Sequence, residues 1–302
     1  MSPVRMRLLL AWVGATAAAI ASLHAQGGPP PGFFAPKALS LAGRADVPMA
    51  LIGDTRATVL VMINGRGPYR LAIETGAPFI MLFPEVVTQL QLTTPANAPG
   101  PNARHVDSIT VGALTLRDVN IFAARDALLP GVDGLMGLGA YRDLLITVDY
   151  PARRVSFERG QLPAVDGRTV FDAVPMGPFF GVALTVTGRR VNATIDTQGA
   201  TFVSCSPAVA DSLLLASAPV RSGTATVGVT DVEVRTAALA GTIRLGRYLV
   251  DRPLLDIARH PPGYPDQCLV GIDFLKHFAI TLDQQAGRVR FVRADSLVPP
   301  GH

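Results

Sequence analysis

The sequence contains no run of lysines or arginines. Its basic residues are dispersed, largely as arginine, without interleaved aromatics, so a nucleic-acid partner is not expected. Beyond the first twenty-odd residues, no apolar stretch approaches the ~20 residues that a membrane span needs. Past residue 25 the histidines are His105, His260, His277 and His302, scattered without ligand spacing, so no metal site is expected. There is no Gly-x-Ser-x-Gly and no Gly-x-x-x-x-Gly-Lys, which removes the serine-hydrolase elbow and the P-loop. Gly134-Leu135-Met136-Gly137-Leu138-Gly139 has the wrong glycine order for a dinucleotide loop and no βαβ context. Cysteine is nearly absent, with Cys205 and Cys268 alone, either bridged or left as two buried thiols.

The 302 residues are 49% hydrophobic, enough for one large core or two of medium size. The start has the form of a secretory signal: Arg5 and Arg7, an apolar run from Leu8 to Ala21, then Leu23-His24-Ala25 as a small-residue cleavage site. Cleavage is expected after Ala25, giving a secreted or periplasmic protein without a stable membrane anchor; a retained anchor is the alternative. No cysteine follows the cut, which argues against lipid attachment. Without Arg5 and Arg7 the formal charge falls from +4 to +2. Residues 26–46 are rich in Gly, Pro and Ala and read as a leader, with folded structure expected from Val47 onward.

A repeat organises the rest. Ala72-Ile73-Glu74-Thr75-Gly76-Ala77 recurs, altered, as Thr194-Ile195-Asp196-Thr197-Gln198-Gly199-Ala200. Glu74 and Asp196 are 122 apart, whereas Gly76 and Gly199, Ala77 and Ala200, Phe79 and Phe202, Pro84 and Pro207, and Leu90 and Leu213 are 123 apart. The change of offset places Gln198 as an insertion between Thr197 and Gly199; a plain replacement of the glycine is the other reading. Pro84 and Pro207 each suit the first turn of a short helix, Glu85–Leu92 and Ala208–Leu215. The offset then becomes 134, pairing Gly112 with Gly246, Gly137 with Gly271, Thr147 with Thr281, Asp149 with Asp283 and Phe157 with Phe291. Asp149 and Asp283 are expected to form turns after strands. The eleven extra residues of the second unit fall between Leu215 and Gly246, where Thr224–Val234 alternates around a glycine and suits a hairpin; Thr93–Val106 suits a plain loop.

Each acid follows an apolar strand and enters a Thr/Gly turn. With the hairpin from Ile63-Asn64-Gly65 to Ala72-Ile73 and the paired elements beginning at Gly137 and Gly271, the chain resembles the retroviral-like (pepsin/retropepsin superfamily) aspartic proteases, particularly secreted bacterial two-lobed members. The resemblance covers Val47 to Val292. It implies a mostly β fold of two tandem retropepsin-like closed β-barrel lobes with short helices in a pepsin-like bilobal arrangement, residues 47–162 and 163–295. It also implies that the strands carrying Cys205 and Cys268 lie side by side, which suggests a disulfide between them.

By resemblance Glu74 and Asp196 are the catalytic pair, and Thr75, Gly76, Thr197 and Gly199 support the turns. Peptide hydrolysis by this route needs a water between two carboxyl groups that share one proton, one acting as base while the other hydrogen-bonds the carbonyl oxygen. Carboxylates about 3 Å apart cannot both ionise, so the pair titrates jointly, and an optimum below neutral pH is the starting expectation. The chemistry calls for no cofactor. The expected substrate is a peptide or unfolded polypeptide, with Thr224–Val234 covering the cleft, and the expected state is a monomer with an internal pseudo-dimer. Glu74 departs from the family's aspartate and Gln198 interrupts the second triplet, so a weak or inactive protein that binds peptides or another extended ligand in the same cleft is the alternative.

Overall fold

In a computed structural model of the chain, residues 32–53, 56–125, 129–176, 179–227, 230–259 and 267–293 are described. The expected signal segment, residues 1–25, lies outside them. Three short strands come first: β1 (Ala38–Leu41), β2 (Arg44–Pro48) and β3 (Ala50–Ile52). The hairpin of β4 (Arg56–Ile63) and β5 (Arg66–Glu74) follows, then β6 (Met81–Leu82) and helix α1 (Pro84–Gln89). A second hairpin, β7 (Ala103–Val111) and β8 (Leu114–Ala123), leads to β9 (Gly134–Gly137), β10 (Leu145–Asp149) and β11 (Arg154–Glu158).

The second half repeats this plan. It opens with β12 (Val170–Asp172), β13 (Val174–Met176) and the hairpin of β14 (Phe179–Val186) and β15 (Arg189–Ile195). Then come β16 (Val203–Cys205), helix α2 (Pro207–Ala210), and the hairpin of β17 (Val220–Val227) and β18 (Thr230–Ala238). It continues with β19 (Thr242–Leu245), β20 (Tyr248–Asp251), β21 (Leu254–Ala258) and β22 (Cys268–Val270). Helix α3 (Ile272–Leu275), β23 (Phe278–Asp283) and β24 (Arg288–Arg293) end the described chain. The fold is mostly β.

Alternation builds the first barrel. Val59, Val61 and Ile63 of β4 point inward, while Leu60 and Met62 face outward. Asn64 and Gly65 both take positive φ, 50° and 71°, which the Asn-Gly pair tolerates and a tight hairpin requires. The order β4-β5-β9-β6-β8-β7 closes on itself because β7 pairs with both β8 and β4. In the second lobe the counterpart of β7 is split: β18 pairs with β21 and β19 pairs with β14, with Leu239–Gly241 bridging them along the chain.

A six-stranded sheet, β12-β24-β23-β10-β11-β2, takes three strands from each half. At its centre β10 and β23 run antiparallel with Thr147 opposite Thr281. The main cluster of buried apolar side chains runs from the first lobe through this sheet into the second, with smaller clusters beside it.

Some expectations change and others hold. Residues 32–46 are not a leader outside the fold: β1 pairs with β8, β2 forms an edge of the shared sheet, and Phe34 is buried. The alternation of Ala45 and Val47 inward with Arg44 and Asp46 outward accounts for β2. Arg44 bonds Asp46 at 2.8 Å and Ser156 at 2.8 Å, fastening the strand to β11. The second helix is a single turn, although Pro207 starts it and Ser206 Oγ accepts from Val209 N, so Ser212–Leu215 are not helical. The Thr224–Val234 segment is a hairpin with Thr224 opposite Glu233, extended at both ends. Asp149 and Asp283 each accept from the amide three residues on, those of Ala152 and Ala286.

Candidate active site

Strand β5 ends on Glu74, and β15 ends one residue before Asp196. Each runs parallel to a short strand, β9 beside β5 and β22 beside β15, that leads into a repeated glycine element. Gly137 and Gly271 pass directly against the acid turns. A Cβ on Gly137 would lie 2.3 Å from Phe79 O and 2.5 Å from Ala77 O, and one on Gly271 2.3 Å from Gly199 O and 2.5 Å from Thr201 O. No side chain fits either approach.

The two turns hold each other. Thr75 Oγ1 donates to Ile195 O at 2.6 Å and accepts from Thr197 N at 3.1 Å. Reciprocally, Thr197 Oγ1 donates to Ile73 O at 2.7 Å and accepts from Thr75 N at 3.1 Å. Both threonines are buried, so each hydroxyl satisfies an amide and a carbonyl that water cannot reach.

This grip brings the acids together. The carboxyl groups of Glu74 and Asp196 lie close enough for each to bias the protonation of the other. Both converge on Gly76: a Cβ there would lie 2.9 Å from Glu74 Oε1 and 3.6 Å from Asp196 Cγ. Glu74 is 2% exposed and Asp196 1%, so both sit at the bottom of the junction, with Pro78 and Ala200 partly exposed beside them.

Their local holds differ. Glu74 Oε1 accepts from Gly76 N at 2.7 Å, whereas Asp196 Oδ1 accepts from both Gln198 N and Gly199 N at 2.9 Å. Burial pushes Glu74 well above the usual carboxyl range and the Asp196 charge pushes it further, against the Gly76 amide. Burial also raises Asp196, to about 6, while the Gln198 and Gly199 amides and the hydrogen bond from Glu74 pull it back. Of the two, Glu74 is thus the side on which the surroundings favour the shared proton.

Backbone contacts relocate the second irregularity. Leu138 N bonds Ala77 O at 2.7 Å, and its counterpart Ile272 N bonds Gly199 O at 2.7 Å. Gly199 thus stands where Ala77 stands, 122 positions on, and Gln198 replaces Gly76. Further along, Met81 pairs with Leu135 as Ser204 pairs with Leu269, an offset of 123. The extra residue enters between Gly199 and Ser204, after the turn and not inside the triplet. The Gln198 amide crosses the junction and donates to Ile73 O at 2.8 Å, with Ala57 O at 3.5 Å. Its Oε1 is buried without a hydrogen-bond partner among the described residues.

Three further residues near the pair escaped the sequence reading. Tyr150 leaves β10 beneath the turns and donates to Thr197 O at 3.5 Å, and Tyr141 donates to Met136 O. Burial raises both phenols, Tyr150 additionally through Asp196 and Glu74 and Tyr141 through Glu74, so both remain neutral donors. Asp256 links the hairpin to the second turn: Thr201 Oγ1 donates to its Oδ2 at 2.7 Å and Thr236 Oγ1 to its Oδ1 at 2.8 Å, with Ser222 Oγ 2.7 Å from Thr236 Oγ1.

Cys205 and Cys268 lie opposite each other on β16 and β22 and are joined as a disulfide. Among the described residues no cluster of His, Cys, Asp and Glu could hold a metal ion, and no helix is long and apolar enough to cross a membrane.

A scan against protein-family models finds no match, and no curated protein matches in sequence. Among solved structures the chain is similar to the aspartic proteinase from Irpex lacteus, with a TM-score of 0.53 and 13% identity over 83% of this chain and 97% of that one. The fold is therefore of the pepsin-like two-lobed kind.

Proposed function

We propose that the protein is an exported aspartic-type peptidase of the secreted bacterial two-lobed kind, hydrolysing peptide bonds of unfolded polypeptide with Glu74 and Asp196. The observation that carries this is the convergence of two buried carboxyl groups beside Gly76, at the tips of two interlocked turns. Asp196, the ionised member, takes a proton from water as the oxygen attacks the scissile carbonyl carbon. Glu74 gives its proton to the carbonyl oxygen, leaving a neutral tetrahedral diol. On collapse the departing amine takes the proton from Asp196, and a diol proton returns to Glu74. The β17–β18 hairpin would cover an extended substrate, and the disulfide suits an oxidising compartment.

The test is cleavage of a reduced, unfolded protein from about pH 3 to about pH 8, where carboxyl-based catalysis operates. Turnover abolished by Asp196→Asn and blocked by a hydroxyl-bearing transition-state mimic supports the reading. Absence of turnover at every pH, or an unaffected Asp196→Asn variant, rejects it in favour of a binding protein.

A further inference from the structure

Gln198 occupies the position of Gly76 in the second turn, so one turn carries a side chain where the other has none. That side chain reaches into the other lobe. Its amide and the Thr197 hydroxyl end on one acceptor, Ile73 O, at 2.8 and 2.7 Å. The matching carbonyl of the second lobe, Ile195 O, receives the Thr75 hydroxyl, and Gly76 offers no side chain to add a second bond. The Ile73 carbonyl belongs to the peptide unit whose nitrogen is that of Glu74. A second hold on that unit fixes the point from which the longer acid departs.

We infer that Gln198 is a positioning residue for Glu74, a latch from the opposite lobe that offsets the extra methylene and the weaker local hold of a glutamate in this turn. The argument rests on the proposed peptidase reading and extends it, because it makes the two departures from the family pattern one adaptation. Three observations meet here. Glu74 has one more rotatable bond than aspartate, which loosens its carboxyl unless the backbone is fixed. Asp196 is held by two turn amides and Glu74 by the amide of Gly76. The latch falls on the glutamate's strand and comes from the turn of the well-held aspartate. The glycines follow the same logic. Gly76 leaves room for the folded-back Glu74 carboxyl two residues away, whereas in the other turn the close glycine is Gly199, where a Cβ would lie 3.1 Å from Asp196 Oδ2.

The inference predicts coupling between residues 74 and 198. Kinetics on the unfolded-protein substrate are compared for the wild type, Gln198→Met, Glu74→Asp and the double variant; methionine keeps the length and removes the donor. Gln198→Met is expected to lower kcat about tenfold with KM changed less than about twofold, because a catalytic group displaced by a fraction of an ångström loses rate before it loses binding. In the Glu74→Asp background the same change is expected to cost less than about threefold, since the shorter acid can use its own turn amides. Gln198→Glu, which replaces the donor amide with an acceptor carboxylate facing Ile73 O, is expected to be at least as slow as the methionine variant.

An equal loss in both backgrounds overturns the inference, as does a loss confined to thermal stability. Carbon-13 titration of the Glu74 carboxyl separates this inference from the peptidase reading. If the wild type proves inactive, a shift of the Glu74 midpoint in Gln198→Met still supports the latch, and an unmoved midpoint overturns it.

Discussion

Thr147 and Thr281, 134 positions apart in the chain, meet side chain to side chain with their hydroxyls 2.9 Å apart. They sit at the middle of the central strand pair, so this contact marks the axis that relates the two halves. The acids meet across the same relation, through Thr75 and Thr197. One symmetry thus organises the support and the site, and the departures from it identify the residues to test.

Thr197→Val removes the donor to Ile73 O and leaves the Thr75 amide without its acceptor. A buried amide stranded in this way costs about 1 to 3 kcal/mol. The denaturation midpoint is expected to fall accordingly, with a loss of kcat larger than any change in KM. Unchanged stability and rate would show that the turns do not depend on this bond.

The pH dependence of activity follows from which acid holds the proton. Asp196 must be ionised to act as base, so activity is expected to fall as pH drops through about 6. Glu74 must be protonated, and because it is held well above the usual carboxyl range the alkaline limb lies higher still. The optimum therefore shifts from the acid range expected of paired carboxyls toward neutrality. Replacing either acid by its amide should cost about 10²- to 10⁴-fold in kcat, the usual worth of a general acid or base.

Stability responds in the opposite sense from that of ion-paired surface acids. Asp196 binds its proton more tightly folded, at about 6, than at its ordinary value of 3.8. The folded state is favoured fully below the ordinary value and loses that advantage as pH rises through about 6, a change on the order of 3 kcal/mol. Glu74 acts in the same direction at higher pH. Thermal melts of the wild type should fall in midpoint across this window, and those of Asp196→Asn should fall less.

Asp256 joins the hairpin base to the turn that follows Asp196. Asp256→Ala strands two threonine hydroxyls and should loosen the hairpin, raising KM several-fold while kcat falls less. Hydrogen exchange on β17 and β18 would rise in the same variant. A change in kcat alone would place Asp256 with the acids instead.

Much of this was legible in the chain. Gly137 and Gly271 pass against equivalent turns, and Thr147 and Thr281 face one another, because an offset between repeated residues survives as a symmetry operation. The place of Gln198 was not legible. An offset reports where two copies fall out of step over a segment, whereas backbone hydrogen bonds decide which residue fills the turn. The early strands were hidden for another reason: Gly/Pro-rich composition masked the four-residue alternation of Arg44-Ala45-Asp46-Val47, whose partner β11 is remote in sequence. Tyr150 and Asp256 reach the acid turns from strands outside both signature turns, so no local pattern pointed to them.

The pairing of β2 with β11 sets an order on assembly. Arg44 faces Glu158, 114 positions further on, so β2, unlike β1 on β8, has no edge to join until the last strand of the first half exists. Closing so long a loop comes late, after local hairpins have formed. A chain emerging from its N-terminus would raise the first barrel, with β1 laid on β8, before the β2 strap could be fastened. Fragments ending before Arg154 would leave that strap without its partner.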